Sequence, residues 1–281
     1  MATKTEPNEP TNSNSHPAGE AELVHDARKA IKRMRALARL LREEIGEQEF
    51  QRVDSRLRES GRRLAASRDS EVRLATLTRL RTHHPKALAL PGVERLQTQL
   101  QTDRAREGIA RNGAVSQRRA LEDVADMRSE LTRWNLLDHD FDALAAGLER
   151  IYRQGRQRYT RAKRKRALPQ DLHDWRKRVK ALYYALDMLG GTKTKGTRRL
   201  TKRAQRLGDE LGEEHDLFML SAYIEAHPEA LGEGDEAAKT LLKLIVRRRE
   251  RLLERALADG ARLYADSPAD FTRRARHALS H

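Results

Sequence analysis

Histidine, aspartate, arginine and two lysines hold the same five places in HDARKAIK, residues 25–32, and in HDWRKRVK, residues 173–180. The copies start 148 residues apart, slightly over half of the 281-residue chain. Arginine offers forked hydrogen bonds to phosphate or carboxylate oxygens, lysine a mobile point charge, and histidine a proton gained or lost near neutral pH. The chemistry open to such a set is capture of an oxyanion. Its repetition at half the chain length implies two similar halves contributing to one site.

A helix turns 100° per residue, which places His25, Arg28, Lys29, Lys32 and Arg39 on one stripe with Arg35 at its edge. Ala27, Ile31, Met34, Ala38 and Leu41 lie opposite and read as a core face. The second copy aligns His173, Arg176, Lys177 and Lys180, with Tyr184 one step further along. Trp175, Val179, Leu182, Leu186 and Leu189 form its apolar face. Like charges three or four residues apart weaken a helix by a few tenths of a kcal/mol per pair, yet no acid stands between Arg28 and Arg42. An anion would relieve that repulsion; the alternative is a solvated face beside acidic partner helices.

The helices that follow each copy extend the pattern. Arg52 and Arg56 are i,i+4 neighbours, as are Arg199 and Arg203, and Lys202 and Arg206. RAKRKR, residues 161–166, is a less specific basic run, because a helix end favours cations in any case. Acids gather elsewhere, notably in GDELGEEHD, residues 208–216. The repeat itself continues: LAASRDSEV, residues 64–72, corresponds to LGEEHDLFM, residues 211–219, so that Arg68-Asp69 and His215-Asp216 stand 147 residues apart. A duplication producing two helical bundles of similar plan explains this economically.

The elements that carry these residues are helical throughout. Ala, Leu, Arg and Glu dominate, and no alternating strand pattern is bounded by turn residues. Periodicity predicts helices over 20–46, 49–66 and 68–83, then a long stretch over 93–134 broken near Asn112-Gly113. In the second half it predicts 140–166, 170–189, 195–211, 214–226 and 235–264, with a short helix after Pro268. GGTKTKGT, residues 190–197, reads as a loop. The Pro-, Ser- and Asn-rich residues 1–19 read as a disordered tail. The remainder, 20–281, reads as one all-α domain with a first half over 20–134 and a second over 135–281.

Lys and Arg total 57 against 42 Asp and Glu, a net charge of +15. Such an excess points to a polyanionic partner: nucleic acid, an anionic membrane, or a phosphate polymer. With no cysteine, disulfides and Cys-ligated metal sites are excluded. No apolar run is long enough to span a membrane, and the N-terminus lacks a secretory pattern, so a cytoplasmic protein is expected.

VHDARKAIKRMRALARLL (24–41), GLERIYRQGRQRY (147–159) and LHDWRKRVKALYYALDML (172–189) together resemble the CHAD family, the conserved histidine α-helical domain, over nearly the whole chain after the tail. The resemblance implies two four-helix bundles related by a pseudo-two-fold axis. Basic helix faces would line a central groove or pore that binds inorganic polyphosphate without catalysis, with possible recruitment to polyphosphate granules. By position it assigns binding to His25, Arg28, Lys29, Lys32, Arg35 and Arg39, and to His173, Arg176, Lys177 and Lys180. Members often carry further basic residues where this chain has Ala181 and Tyr183.

Polyphosphate carries about one negative charge per phosphate, so a ladder of cations suits it better than a closed pocket. Non-specific nucleic-acid binding is the alternative, supported by charge alone. Aromatics are only 4% of the chain, too few for stacking many bases, so weak cross-binding is expected. A phosphohydrolase is disfavoured: neighbouring residues on a helix diverge by 100°, so the His-Asp dipeptides at 25, 139, 173 and 215 do not share a metal, and neither HExxH nor a phosphate-binding glycine loop occurs. No cofactor is expected, nor membrane attachment, because the basic faces oppose core faces. A histidine beside phosphate is either a cation that tightens binding at low pH or a neutral hydrogen-bond donor. His83, His84, Trp134 and Tyr152 read as helix-end and packing residues, and His139 as linker.

Overall fold

The computed structural model describes residues 17–65, 68–109, 113–134, 141–164, 168–190, 194–232 and 235–280. The break near Asn112, the linker residue His139, the last two residues of RAKRKR, the middle of the 190–197 loop and all but residues 17–19 of the expected tail lie outside them. Among the described residues every regular element is helical: α1 (Pro17–Leu40), α2 (Arg42–Ile45), α3 (Glu47–Ala65), α4 (Arg68–His83), α5 (Pro91–Ile109) and α6 (Gly113–Thr132). The second half supplies α7 (Phe141–Ala162), α8 (Pro169–Met188), α9 (Lys195–Ala226), α10 (Asp235–Leu263) and α11 (Pro268–Ser280), with a 3-10 turn at Pro228–Leu231. None of these helices is long and apolar enough to cross a membrane.

Local sequence sets the helix starts. Pro169 opens α8, where its fixed φ suits the first turn, and the Asp171 carboxylate accepts the Leu168 N–H at 3.0 Å. Thr194 caps α9 by accepting the Thr197 N–H at 3.2 Å, and Ser267 caps α11 by accepting the Asp270 N–H at 3.2 Å. α9 runs unbroken where two helices, 195–211 and 214–226, are expected. Gly208 and Gly212 are helical, and their missing side chains leave room for α8. A Cβ on Gly208 would lie 3.2 Å from the Lys180 stem, and one on Gly212 3.8 Å from the Arg176 Nε. Gly212 falls in the expected break and Gly208 inside the expected first helix, and only at Gly208 would an added Cβ crowd its neighbour, the Lys180 stem.

The apolar faces meet in two clusters. In the first, Ile31, Leu57 and Met127 of α1, α3 and α6 pack with Leu148, Trp175, Leu207 and Phe271 of α7, α8, α9 and α11. Tyr152 stacks on Phe271 at 3.9 Å, and Trp175 packs against Tyr159 at 5.3 Å, joining α7, α8 and α11 through aromatic area. The second cluster joins Leu77, Leu80, Leu96 and Leu100 of α4 and α5 to Leu217, Leu220, Leu241 and Ile245 of α9 and α10. Each cluster draws on both halves of the chain.

The closest crossing fixes how α1 ends. Gly147 of α7 lies so near the Leu40 carbonyl that a Cβ there would meet backbone, which no rotamer change relieves. α1 stops at that carbonyl, and Gly46, with φ of 78°, turns the chain into α3. Gly147→Ala is expected to destabilise the protein by about 2 kcal/mol, the cost of forced overpacking less the gain in helix propensity. Gly61→Ala, whose nearest contact is Ile31 at 3.9 Å, is the control and should be neutral or slightly stabilising. Thermal unfolding of the two variants checks this.

Candidate functional site

A cavity of about 840 Å³ opens between α1, α3, α7 and α8. α1 contributes Lys32, Arg35 and Arg39, and α8 contributes Arg176, Lys177, Arg178 and Lys180. Arg58 and Arg62 come from α3, Arg150 and Arg158 from α7, and Arg42 from α2. Twelve cations thus line the cavity against two carboxylates, Asp54 and Asp174. The core faces of α1 and α8 dictate this: burying Ile31, Met34 and Ala38 on one helix and Trp175, Val179 and Leu182 on the other turns the basic sides to a shared space.

Asp54 organises the α1 side. It is only 5% exposed. Arg35 Nε donates to it at 2.8 Å, Arg39 at 3.2 Å and Arg58 at 2.6 Å. Burial pushes the Asp54 carboxyl up, but the three guanidiniums outweigh it and hold the group below its ordinary range. Asp174 pairs with Arg158 at 3.3 Å and Lys177 at 3.8 Å.

One buried carboxylate does not neutralise the cluster. The Arg39 guanidinium is held down to about 10, by burial first and then by repulsion from Arg35. Arg150 is likewise lowered to about 10 by burial and by Arg42 and Arg153. Arg178 is lowered by burial and Arg158. All three stay charged at neutral pH, and an incoming anion would offset both the burial and the repulsion that lower them.

A second cavity, about 750 Å³, lies beside α9 and α10 and shares Arg176 and Lys180 with the first. Lys202 and Arg206 line it, together with Arg79, Arg248 and Arg255. So do Asp209, Glu210, Glu213 and Asp216, and Lys180 reaches Asp209 at 2.8 Å. Arg206 forks onto Asp259. Its charge is mixed where that of the first cavity is nearly all positive.

The remaining sequence candidates sit elsewhere. His25 and Lys29 are exposed on α1, away from the lining of either cavity. Arg28 donates to the Leu64 carbonyl, holding the end of α3 against α1. Arg52 pairs with Glu49 and Glu130, and Arg56 lies 3.6 Å from Asp123, so both serve the α3–α6 contact. The cavity face of α3 instead carries Arg58 and Arg62. Arg203 donates to the Arg262 carbonyl at 3.2 Å, and Arg199 is exposed on α9.

Sequence reasoning missed Arg42, Arg58, Arg62, Arg150, Arg158 and Arg178. A signal existed for four of them. Asp54, Arg58 and Arg62 follow one another at i,i+4 on α3, and Arg150, Gln154 and Arg158 do the same on α7.

His173 faces His215, ring centroids 4.7 Å apart. Burial, then Lys177 and Arg176, push His173 below its ordinary value. Burial and Arg176 push His215 down to about 4. The pair is therefore neutral at pH 7. Unfolded histidine takes up its proton near about pH 6.5, so stability present above that pH drains away as pH falls through the lower folded value. The melting temperature should fall between about pH 7 and pH 5, and His215→Gln should lose less over that interval. Circular dichroism melts at the two pH values test this.

A family model described as the CHAD domain matches residues 14–225. Neither a curated protein nor a solved structure matches the chain. The matched residues run from before α1 to the end of α9, and α10 completes both apolar clusters beyond them.

Proposed function

The chain belongs to the CHAD family, and from that premise we propose that it binds inorganic polyphosphate in the cavity between α1, α3, α7 and α8, without chemical turnover. The observation that supports this reading is the ratio of twelve cations to two carboxylates around one space. A globular surface ordinarily interleaves its charges. Here Arg42, Arg62, Arg150 and Lys180 pair with Glu47, Glu59, Glu43 and Asp209 outside the lining, and the lining itself stays strongly positive. A linear polyphosphate supplies about one negative charge per phosphate at regular spacing, which suits guanidiniums arranged along several helices. α1 approaches the polymer from the first half of the chain and α8 from the second, so both copies of the repeated motif contribute to one wall. Cytoplasmic polyphosphate granules are the natural place for such a module to be recruited.

Nucleic acid competes for any basic groove, so discrimination is the test. Long-chain polyphosphate is titrated against single- and double-stranded nucleic acid at matched phosphate concentration and salt. Polyphosphate should bind about tenfold or more tightly. Its phosphates share bridging oxygens and follow one another more closely along a strand than sugar-linked phosphates do, and a duplex is too wide to enter the cavity. Equal affinity for all three polymers would reject the reading and leave diffuse charge attraction in its place.

A further inference from the structure

Beyond these cavities, a smaller pocket of about 190 Å³ lies between α4, α9 and α10. Leu80 and Leu217, both buried, form its apolar lining. Arg79, Arg248 and Arg251 supply charge, and Glu213 fixes Arg248 through a 2.8 Å ion pair. Thr76 also lines it, is 2% exposed, and its buried Oγ1 has no hydrogen-bond partner among the described residues. A buried hydroxyl left unsatisfied costs about 1–3 kcal/mol, so a ligand oxygen that accepts from it gains more than one meeting a solvated hydroxyl.

We propose that this pocket is a separate oxyanion site that takes a terminal phosphoryl group, either the end of a polyphosphate chain or free diphosphate. Size and charge select this class. The volume equals about six waters and lies below the roughly 300–1,000 Å³ of drug-sized sites, which excludes a whole nucleotide. An interior phosphate carries about one charge, whereas a terminal one approaches two near neutral pH, and the pocket offers three guanidiniums against one carboxylate. Arg79, Glu213 and Arg248 also border the 750 Å³ cavity, which meets the central one at Arg176 and Lys180. The three spaces are therefore neighbours. The polymer end as ligand rests on the polyphosphate reading; the diphosphate site does not.

The test is calorimetric titration of diphosphate into the full-length protein at fixed ionic strength. The variants are Thr76→Val, Arg251→Ala and a central-cavity set, Lys32→Ala/Arg62→Ala/Lys177→Ala/Lys180→Ala. One diphosphate should bind per chain, about tenfold more weakly in Thr76→Val and in Arg251→Ala, and within about threefold of wild type in the central set. Thr76→Val removes only an unsatisfied hydroxyl, so a melting temperature equal to or above that of wild type certifies its fold. Cyclic trimetaphosphate, which has no terminus, should not displace diphosphate. Unchanged affinity in both pocket variants, or displacement by the ring compound, overturns the proposal. If linear chains compete in proportion to their ends, the polymer terminus is the ligand; if they do not compete, free diphosphate is. Failure of the polyphosphate reading shows separately, as long chains bound no better than nucleic acid while diphosphate binding persists.

Discussion

Asp54→Asn should make the protein easier to unfold and, at the same time, tighten its hold on a polyanion. The carboxylate is buried among Arg35, Arg39 and Arg58, and Arg39 is already lowered by burial and by Arg35. Removing one partner of a buried charge cluster costs about 3–5 kcal/mol because the others remain buried without compensation. The amide keeps the shape and some hydrogen bonds, so a loss of about 3 kcal/mol is expected. The cavity gains a unit of positive charge by the same change, and a bound polyphosphate can then serve as counter-ion to the three guanidiniums. Affinity at low salt should rise several-fold, and added polyphosphate should raise the melting temperature more in the variant than in wild type. Unfolding curves with and without ligand measure both effects. A variant that lost stability and affinity together would mean that Asp54 orders the guanidiniums into their binding geometry.

The second large effect concerns the lining itself. Lys32→Ala/Arg62→Ala/Lys177→Ala/Lys180→Ala removes four lining cations and leaves the Asp54 clamp intact. At about 1 kcal/mol for each partly exposed contact, the four together should cost about a thousandfold in polyphosphate affinity. The slope of log affinity against log salt should flatten by about one per lost phosphate contact. The matched control, Lys29→Ala/Arg118→Ala/Arg199→Ala/Lys243→Ala, removes as much charge from exposed positions that do not line the cavity. It should bind within about threefold of wild type, since exposed charges that touch no ligand in the cavity act only through water and salt. Equal losses in both sets would make net charge, not the cavity, the cause of binding.

The control set contains Lys29 and Arg199, two residues that the sequence offered as binders, and their displacement shows what a helical wheel can resolve. On α1 and α8 the apolar side is continuous, from Ile31 to Ala38 and from Trp175 to Leu186, so burial fixes the rotation and turns Lys32, Arg35, Arg176 and Lys180 to the cavity. α3 carries basic residues on two sides. Arg52 and Arg56 are taken by Glu130 and Asp123 of α6, more than 65 residues later in the chain, and the cavity receives Arg58 and Arg62. The i,i+4 row of Asp54, Arg58 and Arg62 marks the second basic side, but nothing within α3 says which of the two sides meets the acids of α6. Arg178 lies off the stripe of α8 yet lines the cavity, because the boundary on that side is made by another helix. Single-helix periodicity gives a face; only tertiary packing gives the neighbour across from it.

The second apolar cluster sets an order on the making of the protein. Leu77, Leu80, Leu96 and Leu100 find their cover on α9 and α10, and Arg95 donates to the Leu231 carbonyl, 136 residues further along. At about 5–20 residues per second, a ribosome needs on the order of 10 s to supply that cover. During that interval the α4–α5 hairpin has left the exit tunnel with its leucines facing water, while α1, α3 and α6 can already assemble. The leucines of α4 and α5 therefore wait for their native cover for a time set by the translation speed of the second half.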